Sequence, residues 1–165
     1  MCSQVQSSTS RRWVPILLIC PPSVISNWIN EFKSWGHFAV ETFQGNDRAV
    51  ALNRVKIGQS EVLLCGKSLF SKESCFSLLK SVQWKLVVVD EYHEFKGKKT
   101  SAWDCLYQLT AHCACQIIGL TGTAMQNDYE ELWNLVYLVQ PGLLGSWAEF
   151  RQNYVQPLKL ARYVK

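Results

Sequence analysis

Charged residues are scarce in this sequence: Asp, Glu, Lys and Arg together make up 18% of its 165 residues. The sequence also lacks an uninterrupted apolar run of about 18 residues, the length that a membrane-spanning helix needs. Seven Trp, six Tyr and seven Phe, with an apolar fraction of 48%, exclude a disordered chain and can supply one hydrophobic core. We therefore expect one globular domain, or part of one, and no membrane partner.

The excess of positive charge is small and local. A formal net charge of +4 does not by itself indicate a nucleic-acid-binding protein. Residues 151–165 hold no acidic residue but contain Arg151, Lys159, Arg162 and Lys165. Only this end of the chain is clearly basic.

The cysteines do not form a pattern typical of a disulfide framework. Their number, seven, is odd, and Cys20, Cys65 and Cys75 lie in or beside apolar runs. This placement favours reduced core thiols in a cytosolic or nuclear protein. His112 and the two cysteines that follow it lack the paired spacing of a zinc site, so we expect no zinc.

The beginning of the chain has no apolar segment of the kind found in secretory signals. Residues 1–13 are rich in Ser and Gln, and we predict that they form a flexible N-terminal tail. Because this stretch carries Arg11 and Arg12 and no acidic residue, a mitochondrial targeting segment remains an alternative interpretation.

Short apolar runs alternate with amphipathic stretches along the rest of the chain. The runs predict strands at Ile16–Cys20, Val40–Phe43, Glu61–Cys65, Leu86–Asp90 and Gln116–Thr121. The amphipathic stretches predict a helix capped by Ser23 and ended by Gly36, and further helices at Arg48–Ile57, Ser71–Ser81, Ser101–His112 and Tyr129–Val139. This alternation predicts an α/β fold, with a parallel sheet flanked by helices on both faces. Several strands are so continuously apolar that we expect both of their faces to be buried.

Polar residues follow two of the predicted strands. In open parallel sheets, ligands bind beyond the carboxyl ends of the strands. Asp90, Glu91 and His93 follow one strand, and residues 121–123, TGT, follow the next. A carboxylate in such a place can hold magnesium directly or through water, and its neighbour can activate an attacking water. A bare Asp-Glu pair is more often solvated or caps the next helix, so that alternative stays open.

Four segments together resemble the Snf2 family of superfamily 2 helicase-like ATPases. Residues 87–96, VVVDEYHEFK, resemble motif II, usually Asp-Glu-Ala/Gly-His, with Tyr92 as an unusual third residue. Residues 120–127, LTGTAMQN, resemble motif III, with Ala124 in place of the common Pro. Residues 19–28, ICPPSVISNW, are similar to motif Ia. Leu132-Trp133, residues 141–146 and Phe150 also match, and they favour the excision-repair, Cockayne-syndrome-B-like branch.

The resemblance implies a RecA-like lobe of the P-loop NTPase type and a DNA-dependent ATPase that uses ATP and Mg²⁺. By resemblance, Asp90 holds magnesium through water, Glu91 activates water, and His93 couples motif II to motif III. The residues expected to link the nucleotide to DNA binding are Thr121, Gly122, Thr123 and Gln126. The residues expected to contact DNA are Ser23, Asn27, Lys67 and Ser68, although a simple turn explains residues 66–68 equally well. For Trp28, core packing is the favoured role.

The departures from the family pattern concern the phosphate-binding loop and the second lobe. An ATPase of this kind needs a glycine-rich loop ahead of Ile16, but residues 1–15 contain no glycine. Residues 97–100, GKKT, lack the upstream glycine and follow motif II, so we do not assign them this role. The second RecA-like lobe, with its arginine finger, is not present before Lys165.

Two hypotheses of different classes follow. In the first, residues 14–165 are an incomplete first lobe of a Snf2-like motor that acts in chromatin remodelling or DNA repair, and this piece alone is catalytically incompetent. In the second, the chain is a non-catalytic module that binds DNA or a protein. The expected partners are duplex DNA or chromatin and the second RecA-like lobe, and the expected location is the nucleus.

Overall fold

A computed structural model describes residues 14–98, 100–124 and 128–161. The predicted tail, residues 1–13, lies outside the described residues, as do Gln126 and the two basic residues Arg162 and Lys165. No helix within the described ranges is long and apolar enough to cross a membrane.

The core of the fold is a five-stranded, fully parallel sheet, as the alternation of elements predicts. The strands are β1 (Ile16–Cys20), β2 (Val40–Phe43), β3 (Val62–Gly66), β4 (Leu86–Asp90) and β5 (Gln116–Leu120). Their spatial order is β2-β3-β1-β4-β5. Because the strands are parallel, each connection between consecutive strands crosses one face of the sheet. The predicted strand at 61–65 is found one residue further along the chain at each end.

The predicted helices lie close to their predicted positions, and three short helices are additional. The helices are α1 (Ile25–Trp35), α2 (Arg48–Lys56), α3 (Lys67–Phe70), α4 (Glu73–Leu79), α5 (Ser101–Cys113), α6 (Tyr129–Val139), α7 (Trp147–Phe150) and α8 (Gln156–Ala161). The additional ones are α3, α7 and α8. Short 3₁₀ turns occupy Pro22–Val24 and Tyr92–Phe95, and a π turn at Arg151–Val155 joins the last two helices. The helix predicted over Ser71–Ser81 is shorter, because the chain first forms the separate turn of α3.

Helices cover both faces of the sheet, but unequally. The larger core packs α2 to α6 against one face, where Leu17, Leu63 and Val87 are fully buried. The smaller core packs α1 against the other face, over Leu18 and Leu64. Strands β1 and β3 are therefore buried on both faces, as their unbroken apolar sequences predict.

Strand β5, unlike β1 and β3, is not buried on both faces. It lies at an edge of the sheet, and Ile118 and Leu120 remain 46% and 38% exposed. Ile118 pairs with Val88, whose side chain packs towards the α1 side of the sheet and is only partly buried. This face of β5 stays exposed because α1 covers β1 and β3 but does not extend over this edge.

The predicted cap of α1 is also wrong. Ser23 lies inside the 3₁₀ turn, α1 begins two residues later, and its N-cap residue is Val24, which makes no side-chain cap bond. Two consecutive prolines set the backbone of this turn, because proline fixes φ near the helical value and favours the first turn. True side-chain caps are found at α5, where Thr100 accepts from the backbone of Trp103, and at α6, where Asp128 accepts from Glu130.

A helical segment at the end of the chain was not predicted. Ser146 and Glu149 form a reciprocal capping box that starts α7. Phe150 and Val155 then pack with Trp133 of α6 in a third, smaller core. The Ser-x-x-Glu pattern is the sequence signal for α7. The basic residues Arg151 and Lys159 of the helical segment that follows are exposed.

A close fit joins the segment after β4 to strand β5. Tyr92 is buried and stands over Gly119, where an added Cβ would lie 2.5 Å from the Cγ atom of the ring. The Tyr92 hydroxyl donates a hydrogen bond to the backbone oxygen of Leu135 in α6, at 2.8 Å. Burial raises the pKa of this phenol, so it stays a neutral donor. The large third residue of the DExH-like motif is thus accommodated by a glycine on the neighbouring strand.

This fit predicts a strong coupling between positions 92 and 119. Gly119→Ala should lower the free energy of unfolding by about 1–3 kcal/mol, because the new methyl group overlaps the ring. The same change in a Tyr92→Ala background should cost far less. Urea unfolding of the two single variants and the double variant measures the coupling. Gly122→Ala is the matched control, since no atom lies within 4 Å of a Cβ there, and additive costs at positions 92 and 119 would contradict the fit.

The corrected helix start predicts a contrast between two hydroxyl residues. Thr100→Ala should destabilise the chain by about 1 kcal/mol, because it removes the side-chain cap of α5. Ser23→Ala should change the unfolding free energy by less than about 0.5 kcal/mol, since Ser23 caps nothing in the structure. Equal losses in a urea titration would show that Ser23 is the cap after all.

Candidate active site

The carboxyl ends of the strands bring the predicted site residues to one edge of the sheet. All five strands are parallel, and Asp90, the last residue of β4, pairs with Leu120, the last residue of β5. In the same way Cys20, the last residue of the central strand β1, pairs with Gly66, the last residue of β3. The loops after β1, β3, β4 and β5 therefore open at the same edge, which is the arrangement that the sequence predicts.

Asp90 is held by a donor on each of its carboxylate oxygens. The backbone N–H of Glu91 donates to Oδ1 at 2.9 Å, and the indole N–H of Trp28 donates to Oδ2 at 2.9 Å. The sequence favours core packing for Trp28 and gives no sign of its hydrogen bond to Asp90. No pattern in the sequence shows it, because 62 positions separate the two residues.

Glu91 adopts a left-handed backbone conformation, with φ 51° and ψ 47°. This region is unfavourable for a residue with a Cβ, at a cost of about 1–3 kcal/mol, and such strain is concentrated at functional sites. The conformation turns the chain out of β4 and into the 3₁₀ turn that buries Tyr92 and Phe95. The Glu91 side chain stays 48% exposed at the edge of the sheet.

His93 links the two polar loops. Its Nδ1 atom lies 3.0 Å from Oγ1 of Thr121 and 3.2 Å from Oε2 of Glu91. The same Thr121 hydroxyl oxygen accepts the backbone N–H of Thr123 at 3.1 Å. The side chain of His93 is 22% exposed, so these two contacts, which share the single Nδ1 atom, lie in a partly desolvated place. The structure thus joins the acid pair to the Thr-Gly-Thr turn through one imidazole.

The rest of the Thr-Gly-Thr turn is open. Gly122 and Thr123 are exposed, and no atom lies within 4 Å of a Cβ placed at Gly122. Gln126, which was predicted to act with this turn, lies outside the described residues.

The donor set at the edge suits magnesium held together with a phosphate ligand. Mg²⁺ prefers oxygen ligands and is usually bound by one or two carboxylates plus phosphates and water. Asp90 supplies such a carboxylate, and each of its oxygens retains a lone-pair position besides the one already used. Within the described ranges, no three His, Cys, Asp or Glu residues come together as a metal cluster. Asp90 is therefore the residue that would hold magnesium here.

Cys20 lies close to this carboxylate at the end of β1. Its burial and the negative charge of Asp90 raise the pKa of its thiol to about 11. The free thiol is therefore neutral at physiological pH and is a poor nucleophile there. Cys65 and Cys75 are also buried, as their apolar sequence surroundings predict.

The predicted DNA-contacting residues lie on the helical segments that follow β1 and β3 at the same edge. Ser23, Asn27 and Ser68 are exposed. Lys67 begins α3, and its ammonium group forms an ion pair with Glu94 at 2.6 Å, above the Phe95 ring. This segment is a single helical turn that is tied by the ion pair to the segment after β4.

Residues 66–68, Gly-Lys-Ser, do not form a phosphate-binding loop. The residues that precede Gly66 are the buried strand β3, and the lysine ammonium is engaged with Glu94. A phosphate cradle needs a run of exposed backbone N–H groups between the strand and the helix. The geometry of β3 and α3 leaves no such run.

The loop after the 3₁₀ turn is anchored to α6. Lys96 forms an ion pair with Glu131 at 3.0 Å, and Asn134 donates to the backbone oxygen of Lys96. The ammonium group of Lys98 lies 4.5 Å from the centre of the Trp133 ring, a favourable cation–π distance. These contacts fix the outer side of the segment that carries Glu91 and His93.

Comparisons with known proteins agree with this geometry. Residues 2–164 match the family model described as the SNF2-related domain. The chain is 37% identical over 149 residues to Switch 2 of Arabidopsis thaliana and 33% identical over 144 residues to DNA excision repair protein ERCC-6-like 2 of Mus musculus. These matches cover 90% and 87% of this chain.

A solved structure supports the same conclusion. The fold is similar to the Sulfolobus solfataricus SWI2/SNF2 ATPase core in complex with dsDNA, with a TM-score of 0.69 and 29% identity over 90% of this chain. The chain spans only part of these proteins: 30% of the archaeal chain, 17% of Switch 2 and 9% of the mouse protein. The family that the sequence motifs indicate is confirmed, and the chain belongs to the SNF2-related domain family.

Proposed function

We propose that this chain forms part of the first motor lobe of a DNA-dependent ATPase that moves along duplex DNA in chromatin remodelling or DNA repair. The observation that carries the proposal is the bridge from Glu91 through His93 to Thr121, with Asp90 beside it. It joins the two motifs by which this family is recognised, at the edge of the sheet where ligands bind. The proteins that the chain resembles include an ATPase core and an excision-repair protein.

The roles of the acidic pair follow from their contacts. Asp90 has both oxygens held in place and presents their remaining lone pairs, which suits it to bind magnesium through water. Magnesium, when bound, neutralises charge on the transferring phosphate. Glu91 is half-exposed and contacts the His93 ring, so it can orient and deprotonate an attacking water. Thr121 contacts the same imidazole, so it responds to changes at Glu91 through His93.

Duplex DNA is the proposed partner for the adjoining loops. Ser23 and Asn27 lie exposed on the segment that follows β1, and Ser68 and Lys67 lie on the segment that follows β3. These two segments touch, because a Cβ at Gly66 would lie 3.3 Å from the Pro22 ring. Hydroxyl, amide and ammonium groups of this kind bind phosphates without regard to base sequence. The nucleus is the location that this substrate implies.

The 165-residue chain does not supply all the groups that hydrolysis needs. Phosphoryl transfer depends on phosphate-binding backbone groups and on an arginine that stabilises the transition state. In the family these come from a glycine-rich loop and from the second lobe, and residues 1–15 hold no glycine. We therefore propose that this stretch of the protein alone is catalytically incompetent.

A second candidate function is a non-catalytic binding module for DNA or a protein. Exposed apolar side chains favour it: Ile118 and Leu120 lie on the edge strand β5, and Trp35, which is 84% exposed, lies separately at the end of α1. Apolar patches of this kind often mark interaction surfaces. Hydrolysis assays separate the two functions, because only the motor requires Glu91.

One prediction of the proposed function concerns ATP hydrolysis. The purified 165-residue chain should hydrolyse no ATP above background, with or without duplex DNA. In a chain that also carries a glycine-rich loop and a second lobe, Glu91→Gln should leave ATP binding nearly intact and lower turnover by about 100-fold or more, because it removes the water-activating carboxylate. Phosphate release and nucleotide-binding titrations measure the two effects.

Glu94→Gln is the matched control for this experiment. Glu94 is an exposed acid in the same turn and pairs with Lys67 rather than with His93. Its loss should leave turnover close to that of the unaltered protein. A DNA-stimulated rate in the 165-residue chain that disappears in Glu91→Gln contradicts the proposed incompetence. Equal turnover with and without the Glu91 carboxylate contradicts the motor function.

Another prediction of the proposed function concerns the binding of duplex DNA. Binding of duplex DNA to this chain should be weak, independent of base sequence and lost as salt increases, because the net charge is only +4. Lys67→Gln should reduce the salt dependence by about one phosphate contact. Lys85→Gln is the control, because Lys85 precedes β4 and lies at the opposite edge of the sheet. Fluorescence anisotropy at several salt concentrations is the measurement, and strongly sequence-selective binding would contradict the proposal.

A further inference from the structure

Trp28 connects helix α1 to the carboxylate that would hold magnesium. It lies in the first turn of α1, and its indole N–H donates to Oδ2 of Asp90 at 2.9 Å. The ring is partly buried against the smaller core and lies 6.1 Å from the Phe32 ring. The donor is therefore fixed in position by packing on one side and by the carboxylate on the other.

The chemistry of this contact is specific. An indole N–H donates and cannot accept, so it selects an unprotonated oxygen of Asp90. A donor to a charged oxygen forms a shorter and stronger bond than a neutral pair. Because the Glu91 backbone holds the other oxygen, the carboxylate plane is defined by donors on both sides. Rotation of the Asp90 side chain would break the bond to Trp28.

We infer that Trp28 is a positioning residue for Asp90, whose indole N–H fixes the carboxylate in the orientation that receives magnesium. This inference rests on the proposed function and adds a residue from the motif Ia helix to the magnesium site. Outer residues that orient a metal ligand typically contribute about 10- to 100-fold to metal affinity. Core packing alone requires the ring of Trp28 but not its N–H group.

The same helix provides a matched control. Trp35 also donates its indole N–H to a carboxylate, Oε2 of Glu31, at 2.7 Å. This second pair is formed within α1, and Trp35 is 84% exposed. Trp28→Phe and Trp35→Phe therefore remove the same kind of bond from the same helix, and only the first bond reaches the sheet.

The first arm of the test is spectroscopic and uses the 165-residue chain without ligand. In a chain labelled with ¹⁵N at the indole nitrogens, Asp90→Asn should move the Trp28 indole proton upfield and leave the Trp35 signal in place. Glu31→Gln should do the reverse. The remaining tryptophan signals report whether each variant is folded. A Trp28 signal that does not respond to Asp90→Asn in a folded chain overturns the inference.

The second arm uses a chain that also carries a glycine-rich loop and a second lobe, and it measures ATP hydrolysis against free magnesium concentration. Trp28→Phe should raise the magnesium concentration for half-maximal turnover about tenfold, and turnover should recover at saturating magnesium. Trp35→Phe should not shift this concentration. Equal magnesium dependence in the two variants overturns the positioning role.

Failure of the inference and failure of the proposed function are distinguishable. If a chain that also carries a glycine-rich loop and a second lobe hydrolyses no ATP, or if Glu91→Gln does not slow it, the motor function falls and the role in magnesium binding falls with it. If hydrolysis depends on Glu91 but Trp28→Phe behaves like Trp35→Phe, the motor function stands and only the inference about Trp28 is lost.

Discussion

The parallel pairing of β4 with β5 is the constraint on which the candidate site depends. Because Asp90 and Leu120 end their strands side by side, the two following loops must leave the sheet at the same edge and the same height. His93 then reaches Thr121 at 3.0 Å although 28 positions separate them in the chain. Shifting the pairing by one residue would turn every side chain of β5 to the other face and remove this contact.

The loop after β4 is unfavourable in isolation and is held by its surroundings. Glu91 occupies the left-handed region, which a side chain with a Cβ seldom adopts. Tyr92 next to it compensates by packing its ring over Gly119 and bonding to α6. Contacts from Lys96 and Lys98 to α6 hold the far end of the same segment. Packing and polar contacts among the described residues therefore offset the backbone strain at Glu91.

The sequence predicts the parts of this molecule that depend on local pattern. Continuous apolar runs such as β3 and the stripe of α1 are found within a residue or two of their predicted positions, because burial dictates their composition. Ser23 was misassigned because two adjacent prolines, rather than a side-chain cap, start the helix. The exposure of β5 depends on which neighbours cover it, and that is a property of the whole sheet.

Long-range contacts at the site could be predicted only where family motifs supplied them. The approach of His93 to Thr121 follows from the two motifs, whereas the bond from Trp28 to Asp90 and the ion pair of Lys67 with Glu94 have no local signal. The most direct test of the site is a double-mutant cycle on His93→Ala and Thr121→Val, followed by urea unfolding. The expected coupling energy is about 0.5–1.5 kcal/mol, the value of one partly buried hydrogen bond. Strictly additive losses would mean that the two motifs do not meet at this edge of the sheet.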